Sequence, residues 1–117
     1  MIGSTRAIRV WARAAPTDLR KGFYGLYELV RTRLGKDPLS GDCYLFVNAR
    51  RTSAKVLLWD GTGLCVYFKR LQVGRFARLW GGAEGQPLAL TQSELALFLE
   101  GTRLAGRLPL SPPEMLL

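Results

Sequence analysis

Histidine is absent from the 117 residues, and cysteine occurs twice, as Cys43 and Cys65. Without an imidazole there is no Ser-His-Asp or Cys-His arrangement to activate a nucleophile, and two thiols fall short of a four-ligand zinc site. Acids are scarce as well: nine Asp and Glu stand against 17 Lys and Arg, a formal charge of +8. Two-metal phosphoryl transfer needs clustered carboxylates. The candidates each have a structural reading instead: Asp18 as a helix cap, Asp37 and Asp60 as turn residues, Asp42 at a strand start. No apolar run approaches the roughly 20 residues of a membrane span. The first six residues lack the apolar core of a signal peptide. The inventory therefore leads to the expectation of a cytoplasmic, non-enzymatic protein with no cofactor, metal or membrane partner.

What is present is an ordinary globular balance, 48% hydrophobic and 22% charged residues, enough for one core and too little chain for two. The charge is unevenly placed. Residues 1–78 hold 15 of the basic side chains and five acids, whereas residues 79–117 hold Arg103 and Arg107 against four Glu. A basic body with a mildly acidic end fits a polyanion, nucleic acid before a membrane surface. The competing reading is a basic surface that serves solubility alone.

Ile8 to Ala12 alternates apolar and polar residues, as a short strand does. Thr17 or Asp18 then reads as an N-cap. Leu19, Phe23, Leu26, Val30 and Leu34 follow at helical spacing and predict one long helix over Leu19–Leu34, stopped by Gly35. Gly22 and Gly25 inside it suggest close packing on a sheet. After turn chemistry at 37–41 come three β-rich runs, Cys43–Val47, Lys55–Trp59 and Leu64–Phe68, joined by short connectors as in an antiparallel meander. A three-residue loop with Gly63 left-handed puts Trp59 between the two cysteines, which then lie about 9–10 Å apart, too far for a disulfide. A two-residue Asp60-Gly61 turn is the rival and swaps the faces. A further strand around Arg75–Trp80 and an edge strand at Leu88–Leu90 are candidates. Thr91-Gln92-Ser93-Glu94 matches a capping box before a short helix that Gly101 ends. The fold expected is α+β in a single domain: an antiparallel meander sheet of four or five strands, the long helix on one face, and the short C-terminal helix closing an end or edge. Residues 1–102 make the core domain, and 103–117 a proline-containing, flexible tail.

The meander gathers cations. Arg50 and Arg51 sit in the first hairpin tip, Lys55 starts the next strand, Lys69 and Arg70 end the third, and Arg75 follows Gly74 back toward them. Six cations converge on one end of the sheet whichever register holds, and Asp60 falls at the other end. Such a cluster repels itself and gains from an anion. The alternative is that hairpin tips are often charged and solvated. Arg20 and Lys21 are a second candidate, since cations in the first turn of the long helix oppose its dipole and could hold a phosphate beside the free N–H groups.

Several stretches taken together resemble one family. They are Thr17-Asp18-Leu19-Arg20-Lys21-Gly22-Phe23 with Gly25-Leu26, then Leu45-Phe46-Val47, Trp59-Asp60-Gly61-Thr62-Gly63-Leu64-Cys65, Lys69-Arg70-Leu71 and Gly74-Arg75-Phe76. In this order they resemble the accessory protein encoded by the second open reading frame of insertion-sequence-66 elements, over Ile8 to Gly101. The chain departs from that family's pattern at Leu19, at Thr52-Ser53 and over Ala77–Trp80. The resemblance implies a non-catalytic bacterial factor for transposition of its element. The partner it implies is the separate catalytic transposase; with the basic surface read above, the expected partners are DNA at the element's ends, that transposase, and another accessory subunit. DNA binding through the basic sheet end is the first expectation. The alternative is a module that docks on the transposase or another subunit without touching DNA, and a DNA-processing enzyme is the remote third.

Overall fold

The computed structural model describes residues 7–101, so the expected tail 103–117 lies outside the described residues. The elements in chain order are strand β1 (Val10–Ala12), helix α1 (Phe23–Thr32), strands β2 (Cys43–Val47), β3 (Ser53–Trp59), β4 (Leu64–Arg70) and β5 (Leu88–Leu90), and helix α2 (Gln92–Phe98). The strands form one sheet in the order β4-β3-β2-β1-β5. At its centre β2 is Cys-Tyr-Leu-Phe-Val without a polar residue, and every member is buried. A strand covered on both faces loses the polar alternation of a half-exposed one.

The sheet is mixed, not a pure meander. β2, β3 and β4 form the expected antiparallel run, and β5 pairs antiparallel with β1 at the expected edge. β1, however, lies parallel to β2, with Val10 opposite Cys43 and Ala12 opposite Leu45. Parallel neighbours need a crossover of about a dozen residues or more, and the stretch 13–42 carries α1 across. Local pattern marks a strand but not the direction in which its partner is entered. No strand forms at 75–80; this stretch is irregular.

The helix is shorter than its apolar stripe. α1 starts at Phe23 with Gly22 as N-cap and no side-chain cap bond, so neither Thr17 nor Asp18 caps it. Asp18 instead accepts the Arg20 backbone N–H at 3.0 Å and its own carbonyl accepts that of Lys21 at 3.3 Å. This local turn competes with helix, as short polar side chains commonly do. Gly22 and Gly25 are not close-packing sites on the sheet: a Cβ on Gly22 would meet nothing within 4 Å, and one on Gly25 would come within 2.9 Å of Lys21 Cβ. Gly35 does turn the chain with φ +63°.

Two cores result. On one face Leu26, Val30 and Leu34 pack on Tyr44, Phe46 and Leu57. The other face buries Val10, Leu45, Val47 and Val56 beneath Phe76, with Leu95, Phe98 and Leu99 from α2 and its end. Phe76 is wholly buried and stacks on Phe98 with ring centroids 5.2 Å apart. α2 carries the complete capping box, Thr91 accepting from the Glu94 N–H and Glu94 accepting from the Thr91 N–H.

Both hairpin registers sit one residue away from expectation. Tyr44 faces Leu57, and Leu58, not Trp59, faces Cys65. The second connector holds four residues between the paired Trp59 and Leu64. Asp60 Oδ1 accepts from the N–H groups of Thr62 and Gly63, each at 2.9 Å, and Gly61 rather than Gly63 takes the positive φ. Both cysteines are free, Cys43 buried and Cys65 half-buried. Burial raises the Cys43 thiol above its usual pKa, and desolvation together with the Asp60 carboxylate 3.5 Å from Sγ raises Cys65.

Two outcomes follow from this packing. Phe76→Ala should lower stability by about 3–5 kcal/mol in denaturant titration, the usual range for a fully buried aromatic; a loss under about 1 kcal/mol would contradict the buried stack. Air-exposed protein should show two titratable thiols when unfolded, and when folded only a slow reaction at Cys65. Fewer than two in the unfolded monomer would contradict this packing.

Candidate nucleic-acid interface

The turn between β2 and β3 is built by Asn48. Its Oδ1 accepts from the N–H groups of Thr52 and Ser53 at 2.9 and 3.0 Å, and its Nδ2 donates to Thr52 Oγ1 at 3.2 Å. Ala49 and Arg50 are thereby left exposed at the apex. Arg51 takes a left-handed φ of 61°, which disfavours any side chain with a Cβ. Its hydrogen bonds hold it there. The Arg51 carbonyl accepts the Phe76 N–H at 2.7 Å, and Arg51 Nη1 donates to the Phe76 carbonyl at 3.2 Å. Next to it the Leu71 N–H donates to the Thr52 carbonyl at 2.8 Å. The end of β4 and the stretch 71–76 are thus tied to the hairpin tip.

This places the six sheet-end cations individually. Arg50, Arg70 and Arg75 are exposed. Lys69 is half-buried opposite Ala54, and Arg70 stands opposite Ser53 on the other face. Arg51 is committed to Phe76. Lys55 is the third residue of its strand rather than the first, and its Nζ donates to the Lys21 carbonyl at 3.0 Å while lying 5.3 Å from the Phe68 ring centroid. Asp60 sits in the other β3 hairpin, at the opposite end of the strand.

Arg20 and Lys21 do not lie in the first turn of a helix, because α1 begins after Gly22. The dipole argument for them lapses. Their position is nevertheless informative. The Thr17 N–H donates to the Val47 carbonyl at 2.9 Å, pinning the stretch 16–20 beside the end of β2. Between that stretch and the tip residues Asn48, Ala49 and Arg50 runs an open groove of about 550 Å³, completed by Ser53 and Phe68. Arg20 and Arg50 both line it. The two groups of cations that the sequence separates therefore share one end of the molecule.

Asp18 is the single acid among the groove's lining residues. Arg20 holds it with Nε at 3.0 Å and Nη2 at 2.8 Å. The Arg20 side chain first, and its backbone N–H second, bring the Asp18 carboxyl down to a pKa of about 2. Sequence reasoning missed this pair, although the Asp-x-Arg spacing of a turn could have shown it. It also missed Phe68, which adjoins Lys69 and Arg70 and is 56% exposed. A third omission is Arg13, whose guanidinium grips Glu84 at 2.9 and 3.1 Å and fastens the loop before β5 to the end of β1.

Among the described residues no group of three or more acids and thiols could hold a metal ion, and no helix is long and apolar enough to cross a membrane. Fold and surface together define a small basic sheet-and-helix domain with Arg20, Lys21, Arg50, Arg51, Lys55, Lys69, Arg70 and Arg75 at one end. The chain belongs to the family described as IS66 Orf2 like protein, which matches residues 8–107. It is 37% identical over 101 residues to the uncharacterized protein y4hO of Sinorhizobium fredii (strain NBRC 101917 / NGR234), covering 86% of each chain. To the uncharacterized protein y4jC of the same strain it is 32% identical over 101 residues, 86% of this chain and 85% of that one. No solved structure matches it. Membership sets the protein in an insertion sequence and implies an accessory role in transposition.

Arg20→Gln should raise the Asp18 carboxyl from about 2 toward the ordinary 3.8, read by NMR titration of the carboxyl carbon. Because the folded value is depressed, the pair's contribution to stability is present above about pH 4 and fades as pH falls through about 2. An unchanged Asp18 titration in the variant would show that the backbone bond alone sets it.

Proposed function

We propose that the protein is a non-catalytic accessory factor of transposition that binds DNA in the cytoplasm through the basic end of its sheet. The observation that carries this reading is the shared location of Arg50, Lys69, Arg70, Arg75, Arg20 and Lys21. Of these, the guanidinium groups of Arg50, Arg70 and Arg75 have no hydrogen-bond or ion-pair partner among the described residues and are exposed. Unneutralised cations at one end of a chain of net charge +8 supply the phosphate-neutralising, sequence-independent part of DNA affinity. Arg51 and Lys55 act differently, as braces of that end through Phe76 and Lys21. The element's DNA ends, its transposase and a second accessory subunit are the partners in this reading.

A second reading has its own support. β4 is the outer strand of the sheet, seven residues long, with Tyr67 and Phe68 half exposed. An outer strand of this length with apolar side chains is a surface on which another protein can pair. Under that reading the protein docks on the transposase or another subunit and the charge only assists.

Fluorescence anisotropy with labelled DNA across a salt series separates the two. With about four phosphates contacted, log K against log salt should slope near −3.6, about 0.9 per phosphate. Neutralising Arg50, Lys69, Arg70 and Arg75 to Gln should flatten the slope by about one unit per lost contact and leave the melting temperature nearly unchanged. Salt-insensitive binding, or an unaltered quadruple variant, would favour the docking module.

A further inference from the structure

Phe68 is the least explained residue of the basic end. It lies on the α1 side of the sheet, in line with Lys55 across the strand pair. Val66, two residues earlier on the same face, packs against the cluster beneath α1. Phe68 does not belong to that cluster, because the helix starts only at Phe23 and the stretch before it is folded as a turn. The ring is left 56% exposed in a groove whose walls carry Arg20 and Arg50. An apolar ring gains nothing from water or from a phosphate. It does gain from a flat apolar partner that arrives with negative charge on either side.

We propose that this groove seats an unpaired base of single-stranded DNA, stacked on Phe68, with the neighbouring phosphates taken by Arg20 and Arg50. The inference rests on the DNA-binding reading and narrows it to the strand form. A duplex keeps its base faces inside its own stack and offers an exposed phenyl ring no surface. A single strand offers every base face, and aromatic platforms flanked by cations are how such strands are held without sequence preference. The groove's volume of about 550 Å³ falls in the range that seats small ligands, the scale of a nucleotide rather than of a double helix. Asp18 remains a full carboxylate whose charge Arg20 offsets through Nε and Nη2, so Arg20 meets a phosphate with its remaining Nη1 edge and Arg50 brings the uncompensated charge. Lys55 lies over the ring at 5.3 Å, so the base takes the ring face turned away from Lys55.

The test compares a labelled oligothymidylate with a duplex, using the full chain at one moderate salt concentration. Phe68→Ala should weaken oligothymidylate binding roughly 5- to 150-fold, the span of base–aromatic stacking, and leave duplex binding within about twofold. Phe68→Trp should retain or exceed the parent affinity. Phe68→Leu, which keeps apolar bulk on the strand but has no π face, should behave like Phe68→Ala, and circular dichroism should show all three folded. Equal losses on both DNA forms, or single-strand binding untouched by Phe68→Ala and Phe68→Leu, would overturn the inference while leaving duplex recognition through the sheet end standing. A chain that binds neither form would overturn both readings. If nucleic-acid binding is unchanged but Phe68→Ala abolishes capture of the purified transposase, the groove serves a protein and the inference fails.

Discussion

The five-residue turn from Asn48 to Thr52, with Val47 just before it, carries hydrogen bonds to two distant parts of the chain. Asn48 closes it from within. The backbone of Arg51 and Thr52 holds the stretch 71–76 from one side, so that Phe76 is drawn under the sheet to meet Phe98. From the other side the Thr17 N–H reaches the carbonyl of Val47, the residue just before the turn. One face of the sheet is covered through the first tie, and the groove gains its second wall through the other. Arg51 is held in a left-handed conformation that disfavours a side chain by roughly 1–2 kcal/mol. It persists because two bonds to Phe76 would be lost by relaxing it.

Much of the fold was legible where the signal is local. The capping box at Thr91 and Glu94, the turn at 37–41 and the stripe of Leu26, Val30 and Leu34 each depend on residues a few positions apart, and each appears as read. The failures share the opposite character. Whether β1 joins β2 in parallel depends on how residues 13–42 travel through space. Whether Trp59 or Leu58 faces Cys65 depends on one residue of loop length, and Asp60 settled it by drawing in the N–H groups of Thr62 and Gly63. Phe76 looked like a strand residue because burial of an aromatic leaves the same trace in sequence whether it comes from a strand or from a loop pressed against one.

The candidate site divides along similar lines. That cations meet at one end was legible, because a hairpin brings the start and end of successive strands together in any register. What each cation does was not. Arg50 and Arg51 are adjacent and chemically identical, yet one points from the apex and the other braces Phe76. Lys55 reads as a surface charge but reaches across to the Lys21 carbonyl. Counting charges therefore overstates what a ligand would meet. The difference lies in hydrogen bonds to backbone atoms 25 and 34 residues away, which no local pattern encodes.

The expected long helix and the groove exclude one another. Residues 16–20 form a wall only because they are not helical. Had α1 begun near Leu19, another turn would lie over this end of the sheet, where Phe68 is now uncovered. The sequence resists that outcome at three points. Asp18 spends its carboxylate on Arg20 instead of a cap, Gly22 takes an extended conformation at the entry with φ −92° and ψ −157°, and Gly25 leaves space that a Cβ would contest with Lys21. Each choice weakens the helix start, since an uncapped terminus and an interior glycine each cost about 1 kcal/mol. Intrinsic helix propensity would place alanine rather than glycine at positions 22 and 25. What the structure gains in return is an open groove with an aromatic surface and two arginines, set at the end of the sheet that Lys69, Arg70 and Arg75 share.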